Sequence, residues 1–171
     1  MASALKNLSS YNEKSIPSAK PFTFGIVVSE WNADITHALY KGCFETLEKH
    51  GASKENIQTL QVPGSFELPI GAKILAGAHR LDAVICIGCV IKGETSHNEY
   101  INSAVATGLM GMSIASGIPC IFGLLTPNDE QQAKDRAGGK HGNKGVEAAV
   151  TAIRMADLRK NTSRKDSRIG F

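Results

Sequence analysis

The chain has 171 residues, 42% of them hydrophobic, which suits one well-cored domain and is too little for two ordinary ones. Its net charge of +3 sits at the ends: three lysines against Glu13 leave +2 in residues 1–20, five basic residues against Asp166 leave +4 in residues 158–171, and the body carries −3. Basicity confined to two polar ends argues against a nucleic-acid partner, no apolar run approaches the length of a membrane span, and the first twenty residues lack the apolar core of a secretory signal, so a cytoplasmic protein with no membrane partner is expected.

Residues 1–21 read as a flexible N-terminal arm. The apolar run "FTFGIVVS", residues 22–29, predicts a first strand, and Ile35, Leu39, Cys43 and Leu47 then recur at helical spacing up to Gly51. "IQTLQV", residues 57–62, predicts a second strand, followed by a helix of about a dozen residues with Pro69 near its first turn. "AVICIGCVI", residues 83–91, predicts the third strand and precedes a long helix over 98–116 with Ile101, Val105, Leu109 and Met112 as its buried stripe. "PCIFGLL", residues 119–125, gives a fourth strand, after which Thr126 and Pro127 read as the N-cap and first residue of a helix running to Arg136. The Gly/Lys-rich link "AGGKHGNKG" leads to a last helix over 146–160, and residues 159–171 read as a basic C-terminal tail beyond a single domain over 22–158.

Near-continuous apolar strands alternating with helices imply an α/β fold: a four-stranded parallel sheet with helices on both faces, a flavodoxin-like three-layer sandwich with right-handed crossovers. Cys86 and Cys89 form a lone C-x-x-C inside a strand, where positions three apart point to opposite faces, so all four cysteines read as reduced packing residues and no metal is implied.

In open parallel sheets ligands bind beyond the carboxyl ends of the strands. Three turns should meet there: Glu30-Trp31-Asn32 after the first strand, Pro63-Gly64-Ser65-Phe66-Glu67 after the second, and Lys92-Gly93-Glu94-Thr95-Ser96-His97 after the third. Trp31, the only tryptophan, suits either a core plug or a stacking platform for a heterocycle. Glu67 near a helix start complements the helix dipole or accepts hydrogen bonds from a polyol. "GCVIKGET", residues 88–95, matches a P-loop except that Glu94 stands at the lysine position, and a carboxylate there would repel the phosphates the lysine neutralises. What survives is Gly93-Glu94-Thr95 at a helix N-terminus, where backbone N–H groups and a hydroxyl hold a single phosphate, with His97 behind it as a proton acceptor.

At these residues the chain resembles the lumazine synthase family, on "VSEWN", "VPGSFELP", "GCVIKGETSHNEY", "IFGLLT" and "DRAGGKHGNKG" in matching order over about residues 22–158. The resemblance implies condensation of 5-amino-6-(D-ribitylamino)uracil with 3,4-dihydroxy-2-butanone 4-phosphate to 6,7-dimethyl-8-ribityllumazine, phosphate and water, the penultimate step of riboflavin biosynthesis, without metal or organic cofactor. It implies that Trp31 stacks on the pyrimidinedione with Asn32 beside it, and that Val90 and Ile91 line the ring pocket. Ser65, Phe66 and Glu67 would bind the ribityl chain, Glu94 and Thr95 the phosphate, and His97 would move protons. From a neighbouring subunit it implies an aromatic matching Phe122, a phosphate-binding arginine matching Arg136 and a lysine matching Lys144, within pentamers that in some members close into a 60-mer icosahedral shell. The short "GGKHGNKG" link favours the shell, whereas Pro17 and Pro21 disfavour strand pairing by the arm.

Two positions depart from the family pattern: Asn98 stands where Phe or Tyr is frequent, and Glu30 where Arg is frequent. The competing expectations are a related archaeal-type riboflavin synthase, a non-catalytic flavin or lumazine carrier, and a shell protein. Against all three stands the retention of His97, Thr95 and Arg136 together.

Overall fold

The computed structural model describes residues 7–165. In chain order the principal elements are β1 (Phe24–Ser29), α1 (Ala33–Lys49), β2 (Ile57–Val62), α2 (Leu68–Ala78), β3 (Ala83–Cys89), α3 (His97–Ser116), β4 (Cys120–Leu125), α4 (Glu130–Arg136), β5 (Ala137–Gly139), β6 (Gly142–Asn143) and α5 (Lys144–Lys165). Strands β1 to β4 form one parallel sheet in the order β2-β1-β3-β4, as the alternation of apolar runs and helices predicts.

The strands of this sheet sort their side chains by the two-residue period. Phe24, Ile26 and Val28 of β1 and Ala83, Ile85, Ile87 and Cys89 of β3 face a core shared with Leu39, Cys43 and Leu47 of α1 and Ala149 and Ile153 of α5. Val27, Val84 and Cys86 face the other way, against Leu68, Ala72 and Leu75 of α2 and Val105 and Leu109 of α3. The sheet is therefore the middle of three layers, and Cys86 and Cys89 lie on opposite sides of it as packing residues.

Several boundaries differ from the sequence expectation. β3 ends at Cys89 rather than Ile91, although the N–H groups of Val90 and Lys92 still donate to the carbonyls of Leu125 and Pro127. Thr126 and Pro127 do not cap α4. The cap is Asp129, whose side chain accepts from the Gln132 N–H at 2.7 Å. The glycine-rich link is a small antiparallel hairpin of β5 and β6, and α5 begins at Lys144 rather than at 146. Ile101 and Met112 are only partly buried on α3. α5 continues through the first residues of the expected basic tail, to Lys165, and residues 166–171 of that tail lie outside the described residues.

The described part of the N-terminal arm, residues 7–21, contacts the domain. Ala19 is buried in the core, and its N–H donates to the His50 carbonyl at 2.8 Å. Tyr11 and His50 share a hydrogen bond of 3.1 Å, and Glu13 pairs with Lys49.

Candidate active site

β1 is the strand at which the strand order reverses: the chain leaves it toward β2 on one side and returns to β3 on the other. Crevices beyond the carboxyl ends of such strands are where open α/β sheets bind ligands. Here that position holds a cavity of about 570 Å³, lined in part by Trp31, Asn32, Ser65, Phe66, Glu67, Val90, Ile91, Thr95 and His97. The three turns predicted to converge do so.

Each turn is held by its own strand ladder. The N–H groups of Glu30 and Trp31 donate to the carbonyls of Val62 and Pro63, which presents the indole, 72% exposed, at the cavity mouth. Asn32 adopts the left-handed conformation at φ 60°, where Asn is among the few tolerated residues, and its side-chain amide donates to the Cys89 carbonyl at 2.9 Å. Ser65 and Ser29 are buried with their hydroxyls 3.5 Å apart, in a tight turn over Ser65–Glu67 that leads into α2. The next residue, Phe66, is 59% exposed, a second aromatic offered to whatever enters.

Gly88 explains the near-match to a P-loop. It pairs with Leu124 inside β3, so it cannot open a phosphate loop, and a Cβ at this position would come within 2.6 Å of Ser65 Oγ and 2.9 Å of Leu68 Cδ1. Glycine is needed there because the Ser65 turn sits directly on the strand. Beyond the end of β3, Gly93 and Thr95 line the cavity, and α3 starts at His97, whose side chain is exposed. Glu94 is exposed and not among the lining residues.

Two groups of expected site residues separate at this point. Phe122 lies on the edge strand β4 and is 38% exposed; Arg136 ends α4, where its Nη1 donates to the Gln132 carbonyl at 3.1 Å; Lys144 begins α5, ion-paired with Glu147 at 2.7 Å. None of the three lines the cavity of its own chain.

Sequence reasoning missed two lining residues, Cys89 and Ile101, treating one as core and the other as helix stripe. Ile101 was legible, since it stands four residues after His97 and so shares its helix face. Burial pushes the Cys89 thiol up to about 11, so it sits in the wall as a protonated thiol rather than as a nucleophile. Asn98 also lines the cavity, and its Oδ1 and that of Asn102, one helical turn on, are buried without a hydrogen-bond partner among the described residues.

Comparison with known proteins places this architecture. The family model for 6,7-dimethyl-8-ribityllumazine synthase matches residues 21–160. The chain belongs to that family. It is 54% identical to the 6,7-dimethyl-8-ribityllumazine synthase of Flavobacterium psychrophilum over 163 residues, covering 95% of this chain and 86% of the relative. It is 54% identical to that of Parabacteroides distasonis over 158 residues, 92% and 99% of the two chains, and 55% identical to that of Bacteroides fragilis over 135 residues, 79% and 94%. Membership makes the chain a transferase of riboflavin biosynthesis, and the carrier and riboflavin synthase readings are not favoured.

Proposed function

We propose that the cavity at the β1/β3 strand ends is where the chain condenses 5-amino-6-(D-ribitylamino)uracil with 3,4-dihydroxy-2-butanone 4-phosphate to give 6,7-dimethyl-8-ribityllumazine, phosphate and water. The observation that carries this reading is the convergence, in one cavity of about 570 Å³, of an exposed indole, a polar turn and a helix N-terminus bearing a histidine. That volume suits a small polar heterocycle with its side chain.

In this reading Trp31 stacks on the pyrimidinedione and Asn32 stands beside it, while Val90 and Ile91 close the ring pocket. Backbone groups of Ser65 and Phe66 and the Glu67 carboxylate hold the ribityl hydroxyls. The phosphate rests on the Glu94 and Thr95 end of α3, where the N–H groups of the first turn have no helical acceptor. The substrate amine attacks the ketone, water leaves to form a Schiff base, phosphate is eliminated, and ring closure expels no further group but water. His97 is placed beside the phosphate loop to carry the protons these steps exchange. The steps call for orientation, anion binding and proton transfer rather than a covalent nucleophile.

The reading also requires self-association, because Phe122, Arg136 and Lys144 stand outside their own cavity. A pentamer, which in some members of the family closes further into a 60-mer shell, brings them to the site of a neighbour. What supports association is the apolar surface left uncovered on one chain: Ile70 and Ile74 on α2, Met110 and Ile114 on α3, and Met155 and Leu158 on α5 are all exposed. The outer edge of β4, which pairs with no other strand among the described residues, adds to it. A cytoplasmic location belongs to the same reading; no helix among the described residues is long and apolar enough to cross a membrane.

The test supplies both substrates to the purified protein and follows lumazine absorbance together with released phosphate. Product well above the spontaneous background is expected, with His97→Ala slower and Arg136→Ala impaired in using the phosphorylated substrate. Product at background overturns the reading. A sizing column on the same sample separates pentamer from shell.

A further inference from the structure

Arg136 and Lys144 stand at the two ends of one short segment. Arg136 closes α4, β5 and β6 follow, and Lys144 opens α5. Strands of three and two residues supply too few hydrogen bonds to hold a hairpin by themselves. What braces it on the inner side is visible. The Asn143 side-chain amide donates to the Ala38 carbonyl of α1 at 2.9 Å, its Oδ1 accepts from the Gly145 N–H at 2.8 Å, and the His141 N–H donates to the Asp135 carbonyl at 2.7 Å.

On the outer side the brace is the N-terminal arm. The Leu8 N–H donates to the His141 carbonyl at 2.7 Å, and the Asn143 N–H donates to Ser9 Oγ at 2.9 Å, so the arm bonds one backbone acceptor and one backbone donor of the hairpin segment. Ser9 is held in turn, its N–H donating to Asn7 Oδ1 at 2.8 Å. Between these bonds Gly142 has φ 79°, and the space a Cβ would need is filled by Asn7 Oδ1 and the Ser9 nitrogen. Further along, the arm is fastened to the helices beneath it: Tyr11 to His50, Glu13 to Lys49, and Ser15, whose hydroxyl accepts from Arg154 Nη2 at 3.2 Å. The arm is thus anchored at both ends across α1 and α5, and its first described residues clasp the hairpin.

We propose that residues 7–9 are a positioning strap, which holds the β5–β6 hairpin so that Arg136 and Lys144 reach a neighbour's site at the correct spacing. The proposal rests on the reading that these two residues complete the site of an adjacent subunit. Neither Leu8 nor Ser9 touches substrate; their effect passes through the hairpin. The strap explains why a polar arm, which composition alone reads as flexible, makes specific bonds to residues more than 130 positions away in the chain.

The test uses the full-length protein carrying Leu8→Pro, which removes the donating N–H, together with Ser9→Ala, which removes the accepting hydroxyl. Ser9→Ala alone serves if the double variant does not fold. Two measurements are read. Amide hydrogen exchange over residues 139–144 should quicken by about tenfold, while the β1 and β3 amides stay as protected as before. In steady state the KM for 3,4-dihydroxy-2-butanone 4-phosphate should rise about fivefold, with the KM for the aminopyrimidine and the assembly size unchanged.

Unchanged exchange overturns the strap. Faster exchange with an unchanged KM overturns its link to the phosphate side of the site, and a collapse of assembly size with both KM values rising shows a general structural role instead. If the unaltered protein makes no product, the functional reading fails, and the exchange data alone then decide whether the arm braces the hairpin.

Discussion

The side-chain amide of Asn32 donates to the carbonyl of Cys89 across 2.9 Å, tying the loop after β1 to the end of β3 where both residues line the cavity. The bond depends on an unusual backbone, because Asn32 is the only non-glycine residue with positive φ among those described. Two terms therefore act at one position: the hydrogen bond, about 1 kcal/mol, and the left-handed conformation, about 1 kcal/mol for most residues. Asn32→Gly loses only the first, and Asn32→Ala loses both. Urea unfolding should rank the variants wild type, then Gly, then Ala, with the Ala variant about 2 kcal/mol below wild type. Equal stability of the Gly and Ala variants would show that the backbone carries no strain.

Gly88 makes a second prediction. The space a side chain would need is taken by Ser65 Oγ, Leu124 Cδ1 and Leu68 Cδ1, all closer than 3 Å to an ideal Cβ. Overpacking of this kind costs about 1–3 kcal/mol. Gly88→Ala should lower the unfolding midpoint accordingly. Because the clash falls on the Ser65 turn, it should also raise the KM for the ribityl-bearing substrate more than that for the phosphorylated one. A fall in stability with both KM values unchanged would detach Ser65 from binding.

These two residues show what the sequence makes legible. β1 and β3 are buried on both faces and announce themselves as unbroken apolar runs; once they are placed, the turns at their ends must meet, so Trp31, Ser65 and His97 converge without further information. The start of α4 was less legible, since Thr126-Pro127 and Asp129 compete for one role. The Pro127 carbonyl accepts from the Lys92 N–H, which keeps that residue beside the end of β3 and outside the helix, and Asp129 takes the cap. The β5–β6 hairpin and its clasp by the arm carry no side-chain periodicity, only backbone bonds between distant segments. Phe122, Arg136 and Lys144 cannot be seen to act from one chain at all; only the resemblance assigns them.

The unpartnered Oδ1 atoms of Asn98 and Asn102 predict a gain in stability. A buried carbonyl oxygen without a donor costs about 1–3 kcal/mol, and replacing it with an apolar group of similar size removes that cost. Asn102→Leu, which lies outside the cavity lining, should raise the urea midpoint by the equivalent of about 1 kcal/mol without a change in m-value or activity. Asn98→Leu, which removes the same cost at the cavity wall, should stabilise similarly. Destabilisation by both substitutions would mean that the two oxygens have a donor in the assembled protein.

His50 gives the anchoring of the arm a pH dependence. Burial, reinforced by the Lys49 ammonium and opposed by Glu13, holds its imidazole below the ordinary value. With the folded value depressed, the folded protein binds fewer protons than the unfolded chain in the range just below about pH 6.5. The contribution of His50 is therefore fully present above that value and is lost as the pH falls through the folded value. Thermal unfolding between pH 7.5 and pH 5.5 should show a decline in Tm, and His50→Gln, which keeps a hydrogen-bonding group toward Tyr11 but has no proton to gain, should make that decline shallower. The protection of the arm amides against hydrogen exchange, measured relative to the intrinsic rate at each pH, should fall over the same interval in the wild type and not in the variant, for Ala19 above all because its N–H donates to the His50 carbonyl. An identical pH profile for the two proteins would remove His50 from the control of the arm.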